Sequence, residues 1–124
     1  MKKVAAVVSA VLFAAGLLAQ LACAQDPAKL NPNSYKILLE NDRVRVLDVR
    51  LKPGDKSALH SHPGYVTYAL TEAKIKITLA DGKTELIDSK PGKALWHDPV
   101  THTAENVGPT ESHILEIELK EPSK

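Results

Sequence analysis

The chain carries five histidines, His60, His62, His97, His102 and His113, and imidazole is the side chain best suited to hold transition metals or to move protons near neutral pH. His60 and His62 form a His-x-His pair. On a β-strand, residues separated by one point to the same face about 7 Å apart, so both rings can reach one ion. The same pair also suits a polar surface strand in which histidine is an ordinary exposed residue. His97 precedes His102, with Asp98 beside it and Pro99 between them. It is a candidate further ligand, a candidate acid/base group, or a ring at a strand end. His113 alternates in phase with Leu115 and Ile117 and is expected at a rim or surface. Tyr65, Tyr68 and Trp96 are the aromatics near these histidines; each could line a pocket, with core packing the ordinary alternative for Tyr68 and Trp96. His97 and Tyr68 are the candidate catalytic groups. There is no Gly-rich phosphate loop, no G-x-S-x-G elbow and no Cys/His dyad, so nucleotide binding and thiol or serine hydrolase chemistry lack support.

A chain of 124 residues has room for one domain to position these groups. Charged residues make up 25% with a formal net charge of +1, which argues against a nucleic-acid or anionic-membrane partner. Lys2 and Lys3 precede the apolar run 4–18, and Ala22-Cys23-Ala24 places small residues before Gln25 and Asp26. This is the pattern of a secretory signal over 1–24, cleaved near Ala24 to give a periplasmic or secreted protein with no stable membrane insertion. An uncleaved anchor and a lipidated Cys23 are the alternatives. Cleavage removes the only Cys, so no disulfide or thiolate metal site remains, and stability must come from an apolar core or from metal held by His and carboxylate.

Residues 25–34, with two prolines and little apolar content, are expected to form an N-terminal arm, and 35–121 the domain. Alternation of period two recurs while helical periodicity does not. It places strands at 35–39, 43–51, 58–62, 66–71, 74–79, 84–88, 94–97, 102–107 and 113–120, an all-β sandwich or barrel of about eight short strands. Ile75, Ile77 and Leu79 are expected inward; Leu115, Ile117 and Leu119 alternate with Glu116, Glu118 and Lys120. Val44 and Val46 have the opposite parity to Val49 and Leu51, which predicts a bulge near Leu47-Asp48. Asn41-Asp42, between the first two strands, is a pair that tolerates left-handed turn geometry.

From Tyr35 to Lys120 the sequence resembles the cupin family. Gly54, five residues, then His60-Ser61-His62 resembles the first cupin block, and Gly92 with His102 and Asn106 resembles the second. Val66 or Thr67 stands where that family has a Glu ligand and the later Gly is missing; His97 and Pro99 occupy the second block's Pro and Gly positions. The resemblance implies a double-stranded β-helix, or jelly-roll barrel, with a divalent transition metal held by His60, His62 and His102. Imidazole ligands without a carboxylate favour Fe, Ni, Cu or Zn over Mg or Ca. Three-His cupins resemble dioxygenases acting on small chelating molecules such as β-diketones or thiols. The implied function is a metal-dependent oxygenase or isomerase; a non-catalytic module for a small ligand or metal, or a metal-free structural domain, are the alternatives. Thr67 could offer at most a hydroxyl. A shared imidazole site is expected to lose its ion as pH falls through about 6.5. Edge strands such as 35–39 need protection, so a homodimer is expected.

Overall fold

The computed structural model describes residues 25–121; the expected signal segment lies outside the described residues. A short helix α1, Pro27–Leu30, is followed by nine strands: β1 Tyr35–Glu40, β2 Val44–Leu51, β3 His60–His62, β4 Tyr65–Ala69, β5 Ala73–Leu79, β6 Thr84–Ser89, β7 Ala94–His97, β8 Val100–Asn106 and β9 Ser112–Leu119. They form two antiparallel sheets, one ordered β1-β2-β9-β4-β7 and the other β3-β8-β5-β6. This is the expected all-β jelly-roll barrel. Among the described residues, no helix is long and apolar enough to cross a membrane.

Leu47, Val49 and Leu51 of β2 and Tyr35 of β1 are buried between the sheets, and Ala28 of α1 and Ile114 of β9 pack against Tyr35, Leu47 and Val49. Beyond this packed end the barrel is open. Ile75, Ile77 and Leu79 line a cavity of about 800 Å³, which confirms their inward parity. Gly54 and Gly92, the first residues of the two motif blocks, both have positive φ, +87° and +84°, a backbone region that strains any side chain with a Cβ. Asn106, the last motif residue, is fully buried. Its Nδ2 donates to Leu51 O and Thr110 O, both at 2.8 Å, so it staples the end of β8 and does no chemistry.

One local expectation is corrected. β2 has no bulge: its pairing with β9 runs without a shift from Val44↔Leu119 to Leu51↔Ser112. Val44 and Val46 stay on the outer face, opposite Leu119 and Ile117, so no face switch is needed; the irregularity falls in β1 between Ile37 and Leu39. Asn41-Asp42 turns without left-handed geometry. The Asn41 Oδ1 instead accepts from Arg43 N at 2.8 Å and Val44 N at 2.9 Å, a side-chain mimic of a backbone turn. β9 inverts the usual inside-outside rule. Glu116 and Glu118 are buried, 5% and 2% exposed, while Leu119 is 41% exposed.

Candidate metal centre

β3 and β8 are antiparallel neighbours with His60 directly opposite His102. Since His60 and His62 share a strand face, the three imidazoles meet at one point inside the barrel. Their ring centroids are 4.8, 4.9 and 5.2 Å apart, and one ring nitrogen from each lies within 4.8 Å of the others. All three residues are buried. The surface-strand alternative for His-x-His is thereby excluded.

Hydrogen bonds fix which nitrogens face the centre. The Nδ1–H of His60 donates to Ala58 O at 2.7 Å, and that of His62 to Glu118 Oε2 at 2.6 Å; a carbonyl and a carboxylate can only accept. In the neutral form the Nε2 of each ring then carries the lone pair, and both atoms are buried with no hydrogen-bond partner. An unsatisfied buried acceptor costs free energy, of order 1–3 kcal/mol, and a shared cation would remove the cost at both at once. Burial pushes the His60 pKa down to about 4; burial and the neighbouring His60 and His62 push His102 down to about 3. Both are held neutral, the form that ligates. The residues present thus fit a divalent transition metal: neutral imidazoles at the centre, with a carboxylate behind His62 that fixes its tautomer.

That carboxylate is anchored in turn. Burial alone would raise the Glu118 pKa, but hydrogen bonds from His62 and Arg45 hold it below the ordinary value. Arg45 Nε donates to Glu118 Oε1 at 2.7 Å and Arg45 Nη1 to Asp26 Oδ2 at 2.9 Å.

Glu116 is the second carboxylate that sequence reasoning missed. It lies directly across from Thr67 in the β4–β9 ladder, beside the position where a cupin Glu ligand is expected. Burial pushes its pKa up to about 7, its Oε2 has no hydrogen-bond partner, and that oxygen is 3.7 Å from His62 Nδ1. Glu116 groups with His62 and Glu118 rather than with all three imidazoles. It also lines the cavity, together with His102, Thr67 and His97, so the apolar lumen ends on a polar floor.

His97 and Tyr68 part company. His97 Nε2 pairs with Thr67 Oγ1 at 2.9 Å, and its ring stacks on Tyr65, which stacks on His62, with centroid distances of 4.5 Å in both cases. Burial lowers the His97 pKa. It faces the cavity but does not join the three-histidine group, so His97→Ala is expected to leave metal content, read by elemental analysis, unchanged. Tyr68 is corrected as a catalytic candidate. It alternates with Tyr65, Thr67 and Ala69, which line the cavity, so its side chain falls on the opposite, outer face, where it is 41% exposed. Core packing fails for Trp96 as well, which stands opposite Val66 on the outer face and is 56% exposed. His113 is on the outer face as expected, with Nε2 2.6 Å from Asp48 Oδ1.

No protein-family model and no curated protein matches the sequence. Solved structures do. A cupin domain from Bordetella pertussis Tohama I is 26% identical, with a TM-score of 0.65 over 70% of this chain and 92% of that one. An RmlC-like cupin with a double-stranded β-helix fold from Methanocaldococcus jannaschii is similar at 12% identity, TM-score 0.57, over 69% and 78%. An RmlC-like cupin from Shewanella frigidimarina NCIMB 400 is similar at 18% identity, TM-score 0.51, over 70% and 75%.

Proposed function

We propose, from the premise that the chain is a cupin, that it binds one divalent transition metal ion through His60, His62 and His102 and presents it to a small chelating molecule in the barrel. The observation that carries this reading is the pair of buried imidazole nitrogens, His60 Nε2 and His62 Nε2, left without partners where a third imidazole converges on them. When bound, the ion would supply Lewis-acid polarisation or an O₂ site. The chain's own residues do the rest. Glu118 holds His62 in its ligating tautomer. The walls of Val49, Leu51, Ile75, Ile77, Leu79 and Ile114 exclude water and select a ligand with an apolar body. Glu116 offers a carboxyl to the ligand's polar end, and His97, tied to Thr67, sits beside it. The reaction class is oxidation or isomerisation.

Titrating ion-free protein separately with Fe²⁺, Ni²⁺, Cu²⁺ and Zn²⁺, then following O₂ uptake and product formation with β-diketones and thiols, tests the reading. Binding of an ion without turnover of any substrate assigns a non-catalytic binding module. Binding of none leaves a structural domain.

Two further parts of the proposal concern setting. The signal-like segment would deliver the domain to the periplasm or medium, so mass spectrometry of the exported protein should find an N-terminus at Gln25; an acyl adduct on Cys23 would contradict it. The domain would also pair with a second copy. Support comes from the outer face of the five-stranded sheet, where Leu39, Tyr68, Trp96 and Leu119 are 49%, 41%, 56% and 41% exposed, an apolar surface of the kind that marks association. Light scattering at tens of micromolar protein should return a dimer mass and Leu119→Glu a monomer; a monomeric wild type would refute pairing.

A further inference from the structure

β3 is three residues long and lies at the edge of its sheet, yet it carries two of the three imidazoles. On its own such a strand would fray. Beside its pairing with β8 on one side, what holds its other side is the segment before β1. Ser61 N donates to Gln25 O at 2.8 Å, and Ser61 Oγ donates to Gln25 Oε1 at 2.9 Å. Just before the strand, Ala58 N donates to Asn31 Oδ1 at 2.9 Å. Between these ties α1 seats a fully buried Pro27 in the domain, and Ala28 packs on the core. The expected surface arm is thus locked against the strand that bears His60 and His62.

Asp26 adds a second connection. One of its oxygens accepts from Ala28 N at 2.9 Å and caps α1; the other takes Arg45 Nη1 at 2.9 Å. Arg45 Nε reaches Glu118 at 2.7 Å, and Glu118 accepts the His62 Nδ1–H at 2.6 Å. The Arg45 and Glu118 side chains are 12% and 3% exposed. Two anions therefore grip one guanidinium from two sides, an arrangement with little rotational freedom.

We infer that residues 25–31 are a working part of the ion site, with Asp26 and Arg45 positioning residues that fix the tautomer and angle of His62 through Glu118. The inference rests on the metal reading above. Without Asp26 the guanidinium keeps one anchor, Glu118 gains freedom to turn, and the Nδ1 of His62 loses the fixed acceptor that keeps Nε2 free. Partners of this kind typically contribute 10–100-fold to metal affinity.

Asp26→Asn separates the two jobs of Asp26, because an asparagine still caps the helix but brings no charge to Arg45. Competition titration of wild type and variant with Co²⁺ against a chromophoric chelator, with the visible Co²⁺ bands recorded, reads the effect. The variant should bind Co²⁺ about tenfold more weakly, with altered bands, and Asp26→Glu should recover part of the loss. Imidazole ¹⁵N spectra of the ion-free proteins supply a reading independent of metal. In its neutral form wild-type His62 should hold the proton at Nδ1, and the neutral ring of the Asp26→Asn variant should show a mixture of tautomers. Wild-type affinity, bands and tautomer in Asp26→Asn would overturn the positioning role and leave the metal reading standing. Failure of the wild type itself to bind Co²⁺ would overturn both.

Discussion

His102→Ala is expected to abolish tight metal binding, weakening it by about 10³-fold or more, because an ion left with two imidazoles loses one ligand bond and the enclosure that makes the site dry. His60→Ala should do the same. The double variant should lose little beyond either single change, since residues that share one ion act as a unit. His113→Ala is the control: its ring is on the outer face against Asp48, and its removal should leave metal content untouched. Isothermal titration of ion-free proteins with Zn²⁺ measures all four. Independent, additive losses would mean that the three rings do not share an ion.

The second large effect is on stability against pH. His60 and His102 have folded pKa values of about 4 and about 3, below the ordinary imidazole value near 6.5. The unfolded chain therefore takes up protons below pH 6.5 that the folded chain refuses, so their contribution is complete above pH 6.5 and is lost as pH falls toward 4 and then 3. At 1.36 kcal/mol per pH unit, His60 accounts for about 3 kcal/mol and His102 for about 5 kcal/mol, against a total stability of about 5–15 kcal/mol. Glu116 has the opposite sign. Burial raises it to about 7, so its contribution is complete below the unfolded carboxyl value near 4.3 and is lost as pH rises through 7. Ion-free protein should be most resistant to urea near pH 6.5, weaker at pH 4.5 and weaker at pH 8. Glu116→Gln should remove the decline above pH 6.5 and steepen the rise from pH 4.5 to 6.5, because that carboxyl loses most of its contribution between its unfolded value near 4.3 and about 7. A stability profile flat from pH 4 to 8 would contradict the burial of all three groups.

Residue type alone places loss of an ion held by imidazoles near pH 6.5. Burial pushes the His60 and His102 pKa values down to about 4 and about 3, so these two rings compete for protons only at lower pH. Spacing offered His60 and His62 as a pair and the cupin resemblance added His102; their titration depends on burial, which spacing does not encode. Strand positions were legible for the same reason that His-x-His was, because both follow from a period of two. What alternation leaves open is which face looks inward. In β9 the apolar set Leu115, Ile117 and Leu119 faces out and Glu116 and Glu118 face in, so the carboxylates behind the centre were hidden behind an apparently amphipathic strand. The cross-strand neighbour of Thr67 is Glu116, a proximity between residues 49 positions apart that no local motif could announce. Arg45 was hidden in the same way: it shares its inward parity with Leu47 and Val49, and only the Asp26 and Glu118 carboxylates on either side make that position tolerable for a guanidinium. Tyr68 was misplaced by its nearness in sequence to the histidines, when its parity sends it to the other side of the sheet.

Elemental analysis of the wild-type protein, purified without nickel resin or chelators and compared with His60→Ala and His102→Ala prepared identically, tests the central claim most directly. About one equivalent of Fe, Ni, Cu or Zn per chain in the wild type, and less than a tenth of that in each variant, is the expected result. A wild type that holds no transition metal even after reconstitution, or variants that retain full occupancy, would contradict it.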